Sequence, residues 1–213
     1  LNEKFGKYKF KVYYIDHHLS HIASAFYPSD LDKTYALSID GFGDFCSIVL
    51  AKCENKKINI IEKLYYPNSL GVFYEGFTQL LGFNNYGDEY KLMGLSCYGE
   101  PKFFEKINKV IFDNSIFPKL NLDYFNHHHA NFEYNFQGVP KQNTIINEKI
   151  YNIFEKEKID IKKNFIYVAD LAASVQKVYE EKLKKIIEKK IDKNFLENLV
   201  LSGGCALNSL SNG

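Results

Sequence analysis

Asp16-His17-His18-Leu19-Ser20-His21, followed a short way on by Ile39-Asp40-Gly41-Phe42-Gly43-Asp44, is the stretch that decides the fold. Histidines four residues apart on a helix project from one face, with Cβ atoms roughly 5–6 Å apart. His17 and His21 have that spacing. The residues after them, Ile22-Ala23-Ser24-Ala25-Phe26, are small and apolar, as for a helix packed closely in a core. Thr34-Tyr35-Ala36-Leu37-Ser38-Ile39 reads as a buried strand ending at Asp40, and two glycines bracket Phe42. A carboxylate at a strand end beside a glycine turn meets a ligand without steric obstruction. Asp40 would therefore complete a site of two histidines and one carboxylate. That donor set with open positions suits a divalent transition metal, Fe(II) among them. Taken alone, a histidine pair at this spacing is more often a satisfied surface or core pair. The small-residue helix and the strand-end carboxylate favour the metal.

Working outward, 8–15 alternates basic or aromatic with apolar residues and predicts a strand. The histidine helix should run over 18–27 and stop near Pro28. Strands are predicted at 34–40 and 46–52, joined by the glycine turn as a hairpin, and at 57–66. Apolar residues at helical spacing predict helices over 70–81, 89–95 and 102–112. The segment 113–142 loses any period and reads as an insertion or a substrate-facing region. Residues 166–190 form the strongest helical pattern, with Val168, Leu171, Ala172, Val175, Val178, Tyr179, Leu183 and Ile186 on one face. A short buried strand at 198–201 then runs into Ser202-Gly203-Gly204-Cys205-Ala206-Leu207-Asn208, which should open another helix. No repeat or low-complexity linker is visible.

The chain has 213 residues, 46% of them hydrophobic, including 16 tyrosines and 18 phenylalanines. That is enough to bury a core, and the length fits one large domain or two small ones. The net charge of +1, from 27 basic and 26 acidic residues, gives no sign of a nucleic-acid or membrane surface. The lysines of 182–193 alternate with Glu and Ile, as on a solvated helix face. Cys46, Cys53, Cys97 and Cys205 form no CxxC pair, and scattered free cysteines suit a reducing, cytoplasmic setting. No apolar run approaches the roughly 20 residues needed to span a bilayer, and no signal peptide is visible. A start at Leu1 and a stop directly after a glycine motif point to a piece of a longer protein.

Three further motifs carry possible chemistry. Ser202-Gly203-Gly204 lies between a strand and a helix, where backbone N–H groups can approach a phosphate or nucleotide. The alternative is a tight turn. In Gly87-Asp88-Glu89-Tyr90-Lys91-Leu92-Met93-Gly94-Leu95, Lys91 would neutralise a phosphate or a carbamoyl oxygen, or pair with its own acidic neighbours near a helix start. His127-His128-His129 looks metal-like by composition. Consecutive residues do not face one way on a helix or strand, so three adjacent ligands are awkward.

Together these stretches resemble the N-terminal domain of the O-carbamoyltransferases of the NodU/CmcH type, which act on antibiotics and nodulation signals. The likeness rests on His17 to Pro28, Ile39 to Asp44, Ser69-Leu70-Gly71, Leu81-Gly82-Phe83, Tyr90 to Leu95, Tyr98-Gly99-Glu100-Pro101, Leu171 to Gln176 and Ser202 to Asn208, in the family's order. The resemblance implies an α/β, actin-like ATPase fold related to the threonylcarbamoyladenosine enzymes, incomplete in this chain. It implies a YrdC-like C-terminal domain beyond residue 213 that makes carbamoyl-adenylate from carbamoyl phosphate and ATP. The carbamoyl group then passes to a hydroxyl of a sugar or natural product, with iron bound. The family's metal ligands fall on His17, His21 and Asp40. Its nucleotide-holding glycine motif falls on Gly203, Gly204 and Asn208, and a further aspartate ligand lies beyond this chain. Asp44 stands where relatives commonly have Glu, Cys97 where they have Pro, and Cys205 where they have Val.

Other readings compete. A tRNA threonylcarbamoyl transferase of the same superfamily calls for a basic face, which the balanced charge does not suggest. A non-catalytic nucleotide-binding module would hold a structural metal. A metallohydrolase would want the glutamate of HExxH, which is absent.

Overall fold

Every residue from Thr34 to Ile39 is buried because the sheet that contains it is covered on both faces. The computed structural model describes residues 11–112, 117–129, 143–192 and 198–213. Strands β1 (Lys33–Gly43), β2 (Cys46–Glu54) and β3 (Lys57–Tyr65) form an antiparallel meander, and β6 (Leu199–Ser202) lies parallel to β1 on its other side. The order is β3-β2-β1-β6. Both hairpins close on two residues with positive φ: Asp44 (51°) and Phe45 (61°), then Asn55 (51°) and Lys56 (60°). That backbone matches the right-handed twist of the strands.

The two faces differ in side-chain size. On one, Ala36, Val49, Ala51 and Val200 meet Ile22 and Phe26 of helix α1 (His17–Phe26). The short side chains let that helix lie close. On the other, Tyr35, Leu37, Ile39, Ile48 and Leu50 join the main core. That core includes helices α2 (Leu70–Leu80), α3 (Glu89–Ser96) and α5 (Phe165–Lys190). A short helix, α4 (Phe104–Asn108), and a two-stranded ribbon, β4 (Ile111–Phe112) with β5 (Lys119–Leu120), complete it. Among the described residues no helix is long and apolar enough to cross a membrane.

Most expected elements are present within a residue or two, but the strand expected at 34–40 runs on through both glycines to Gly43, so the hairpin turns at Asp44 and Phe45 and not at the glycines. The exceptions are instructive. Residues 11–15 of the strand expected at 8–15 lie outside regular structure, and Val12, Tyr13, Tyr14 and Ile15 are exposed. Residues 8–10 fall outside the described ones. Alternation marks two faces, but a strand exists only by pairing, and 11–15 pair with no strand among the described residues. The helix expected over 102–112 covers only 104–108. The Val110 carbonyl accepts instead from Asn121 N (2.8 Å), and Ile111 pairs with Leu120. Leaving the helix lets Val110 and Ile111 both be buried.

The segment read as an insertion places Phe117, Leu120 and Phe125 in the main core, with 113–116 and 130–142 outside the described residues. Lys182, expected on a solvated face, is buried and donates to Asn108 Oδ1. After β6 the chain forms a 3₁₀ turn (Gly204–Leu207) before the short helix α6 (Ser209–Asn212).

Candidate metal centre and the adjoining cavity

Helix α1 begins where its chemistry is concentrated. Asp16 caps it by accepting from Leu19 N (2.9 Å) and is itself held by Lys63 Nζ (2.8 Å). The Lys63 bond chiefly lowers the Asp16 pKa, so this cap stays ionised. Asp44, from the β1–β2 turn, accepts from His17 N (2.8 Å). Two carboxylates therefore satisfy first-turn N–H groups that have no partner within the helix.

The three histidines of α1 divide by face. His18 points into the sheet, where Nε2 donates to the Cys46 carbonyl (2.9 Å) and Nδ1 accepts from Ser38 Oγ (2.8 Å). A carbonyl can only accept, which fixes this tautomer. Burial lowers the His18 pKa, and the ring is neutral. His17 and His21 turn the other way, towards Asp40. Asp40 Oδ2 lies 3.1 Å from His17 Nε2 and 3.0 Å from His21 Nε2, and the two nitrogens are 3.1 Å apart. Among the described residues these three form the group able to hold a metal ion.

The backbone around Asp40 is built to that end. The β1–β2 register breaks between Ile39 and Gly43, which frees Asp40 from the ladder. Gly41 N donates to Asp40 Oδ1 (2.8 Å), and Ser69 Oγ, at the cap of α2, donates to Gly41 O (2.7 Å). A Cβ on Gly43 would lie 1.9 Å from His17 Cδ2, so glycine there makes room for the ring. Burial would raise the Asp40 carboxyl, but the His17 bond, the Gly41 N–H and the nearby His21 outweigh it, and its pKa lies below the ordinary value.

The donor set fits a divalent ion. Three mutually contacting polar atoms share too few protons to satisfy one another fully. Donors about 2.1 Å from a common ion and at right angles to each other are about 3.0 Å apart, one face of an octahedron. Tetrahedral angles would put them about 3.4 Å apart.

Asp40 also lines a cavity of about 490 Å³, together with Gly41, Gly71, Gly204 and Asn208. Gly203 lies beneath it: its φ is +89° and a Cβ would meet the Ile39 carbonyl at 2.2 Å. Gly204 is the member of the pair that reaches the cavity, with its Cβ position 3.2 Å from Asp40 Oδ1. Lys91 does not line it; its Nζ is 2.7 Å from Asp88 Oδ1, although its neighbours Glu89 and Tyr90 do. Burial, reinforced by Asp40, Glu89 and Glu75, pushes the Cys205 thiol up, which favours the thiol over the nucleophilic thiolate. His127 is buried with Nε2 on the Pro67 carbonyl (2.8 Å), and among the described residues it joins no metal-binding group.

Sequence reasoning passed over Tyr74, and gave Ser69 and Gln176 no role beyond the stretches that carry the family likeness. Ser69 carried a signal, as a cap residue before an apolar run. Gln176 carried another, as an amide among the apolar positions of α5.

The chain matches the family model described as "Carbamoyltransferase N-terminus" over residues 3–213. It is 34% identical over 202 residues to an uncharacterized protein of Synechocystis sp., covering 93% of this chain and 31% of that protein. It is 38% identical over 91 residues to nodulation protein NolNO of Sinorhizobium fredii, covering 43% of this chain and 13% of that one. A tRNA N6-adenosine threonylcarbamoyltransferase of Fervidobacterium nodosum is 26% identical over 205 residues, 95% of this chain and 53% of the relative. The chain thus spans only part of each. The mixed α/β sheet and the reach of the last similarity agree with the actin-like fold expected.

Proposed function

The chain belongs to the carbamoyltransferase N-terminal family, and from that premise we propose that the protein of which it forms part is an O-carbamoyltransferase. The carbamoyl group of carbamoyl-adenylate, made from carbamoyl phosphate and ATP in a YrdC-like C-terminal domain, passes to an alcohol of a sugar or natural product. The observation that carries this reading is the triangle of His17, His21 and Asp40 opening on the cavity that Gly204 and Asn208 also line.

His17, His21 and Asp40 would hold a divalent metal, iron or a relative, which when bound supplies Lewis acidity to a carbamoyl carbonyl or an acceptor hydroxyl. Asp40 accepts from Gly41 N through the oxygen that faces away from the histidines, so its second oxygen stays aimed. Gly204 lets a phosphate approach the backbone, and Gly203 permits the turn that presents it. Asn208 contacts the nucleotide end. Lys91, tied to Asp88, neutralises charge only at the cavity's margin.

Elemental analysis of the full-length protein purified without oxygen tests this reading. Wild type should hold about one metal ion and His17→Ala/His21→Ala none, with carbamoyl transfer lost in the variant. Equal metal in both, or full transfer by the variant, would overturn the assignment. The Fervidobacterium relative favours a second reading, carbamoyl-type transfer to tRNA. Tight, salt-sensitive tRNA binding by the full-length protein would select it.

A further inference from the structure

Strand β1 stops pairing where its chemistry begins. It pairs with β2 as far as Ile39 and again only at Gly43, and with β6 only as far as Ser38. Asp40, Gly41 and Phe42 therefore have no ladder partner on either side among the described residues. A carboxylate on such a stretch keeps its aim only if something else fixes the backbone beneath it.

Helix α2 supplies that hold. Ser69, at its cap, is buried. The Ser69 Oγ accepts from Val72 N (3.1 Å) and donates to Gly41 O (2.7 Å). The Asp40 carbonyl lies 3.2 Å from the same Oγ, but one hydroxyl has one hydrogen, and the shorter contact takes it. Capping needs only the acceptor role, so the bond to Gly41 is one the helix itself does not require. Gly71 closes on the same residue: a Cβ there would lie 2.8 Å from both Gly41 Cα and Gly41 N. Residue 41 is thus held at its carbonyl and along its N–Cα bond. Its N–H in turn holds Asp40 Oδ1 (2.8 Å).

The helix is a fixed reference for this purpose. Leu70 and Phe73 are fully buried in the main core. The Tyr74 hydroxyl donates to Gln176 Oε1 on α5 (2.8 Å), and Gln176 Nε2 reaches on to Asn208 Oδ1 (3.0 Å).

We infer that Ser69 is a positioning residue for the metal centre: through Gly41 it holds Asp40 so that Oδ2 stays aimed between His17 and His21. The inference rests on the metal reading given above and adds a residue that is not itself a ligand.

The probe is Co(II), titrated without oxygen into the full-length protein and followed by its visible absorption. Ser69→Gly removes the hydroxyl but leaves a residue that caps helices nearly as well, so it should fold. It should bind Co(II) about tenfold more weakly than wild type. Ser69→Ala should lose as much. Thr78→Ala is the control. It removes a buried hydroxyl that donates to Tyr74 O (2.9 Å) at the far end of α2, and it should bind Co(II) within about twofold of wild type. Binding by both Ser69 variants within about twofold of wild type would overturn the inference and leave the metal reading intact. An equal loss in Thr78→Ala would also overturn it, as a general loosening of α2. No Co(II) binding by wild type would overturn both readings.

Discussion

The chain's six histidines fall into two groups of three, and the groups behave differently. In each, one ring is buried against a backbone carbonyl: His18 on Cys46, His127 on Pro67. The remaining pairs part company. His17 and His21, a helical turn apart, converge on Asp40. His128 and His129 are adjacent, their ring centroids lie 3.8 Å apart, and among the described residues no carboxylate joins them in a metal-binding group. Composition is the same; backbone spacing and the arrival of a third donor make the difference. A helix repeats a direction after four residues, whereas neighbours diverge.

The sharpest way to break that contrast is to exchange the loss of ligands between the groups. Asp40→Ala should lower metal affinity at least about a hundredfold, the upper end of what even an outer partner's loss costs. His128→Ala and His129→Ala should leave it unchanged. Metal titration of the three variants decides, and equal losses would mean that the two groups are alike.

The buried members are next. His18→Phe leaves the Ser38 hydroxyl and the Cys46 carbonyl without partners in the core, which should cost about 2–4 kcal/mol in chemical denaturation. Were the loss under about 1 kcal/mol, His18 would be a filler and not a tie between α1 and the sheet.

His127 offers a pH test. Burial lowers its pKa in the folded protein, with the Pro67 carbonyl opposing. Above the unfolded value, about 6.5, neither state binds the proton and the stability is fully present. As pH falls below that value the unfolded chain takes up a proton that the folded one resists, so stability falls. His127→Gln should give a flatter stability profile between pH 7 and about 5. An unchanged slope would assign the acid sensitivity elsewhere.

The smallest effect concerns the turn that serves both Asp40 and α1. Asp44→Ala removes the acceptor of His17 N and should cost about 0.5–1 kcal/mol. Asp44→Asn should restore most of it, since an amide oxygen also accepts. A larger deficit in the alanine variant would make Asp44 more than a cap.

Much of this was legible in the residues, and the failures share one cause. The meander, α1, α2 and α5 announced themselves because each has a period that matches its own backbone. Residues 11–15 have the period of a strand but no strand to pair with among the described residues. Residues 109–112 have the period of a helix, yet the pull of Asn121 and Leu120 on Val110 and Ile111 turns them into a ribbon. Phe117 and Phe125 lie in a segment without period and still reach the core, since burial needs a hole of the right shape and no repeat.

By itself the sequence determined that His17 and His21 share a helix face, that Asp40 follows a buried strand run, and that glycine at 43, 203 and 204 puts no side chain in the way of a close neighbour. These follow from bonded geometry within a few residues. Only the tertiary structure decided that the two histidines and Asp40 meet within about 3 Å, as donors around one ion would. It also decided that Lys91 turns to Asp88 and that Gln176 reaches Asn208 across 32 positions. Such contacts depend on how sheet and helices stack, and no local pattern in the chain records which distant side chain fills the remaining space.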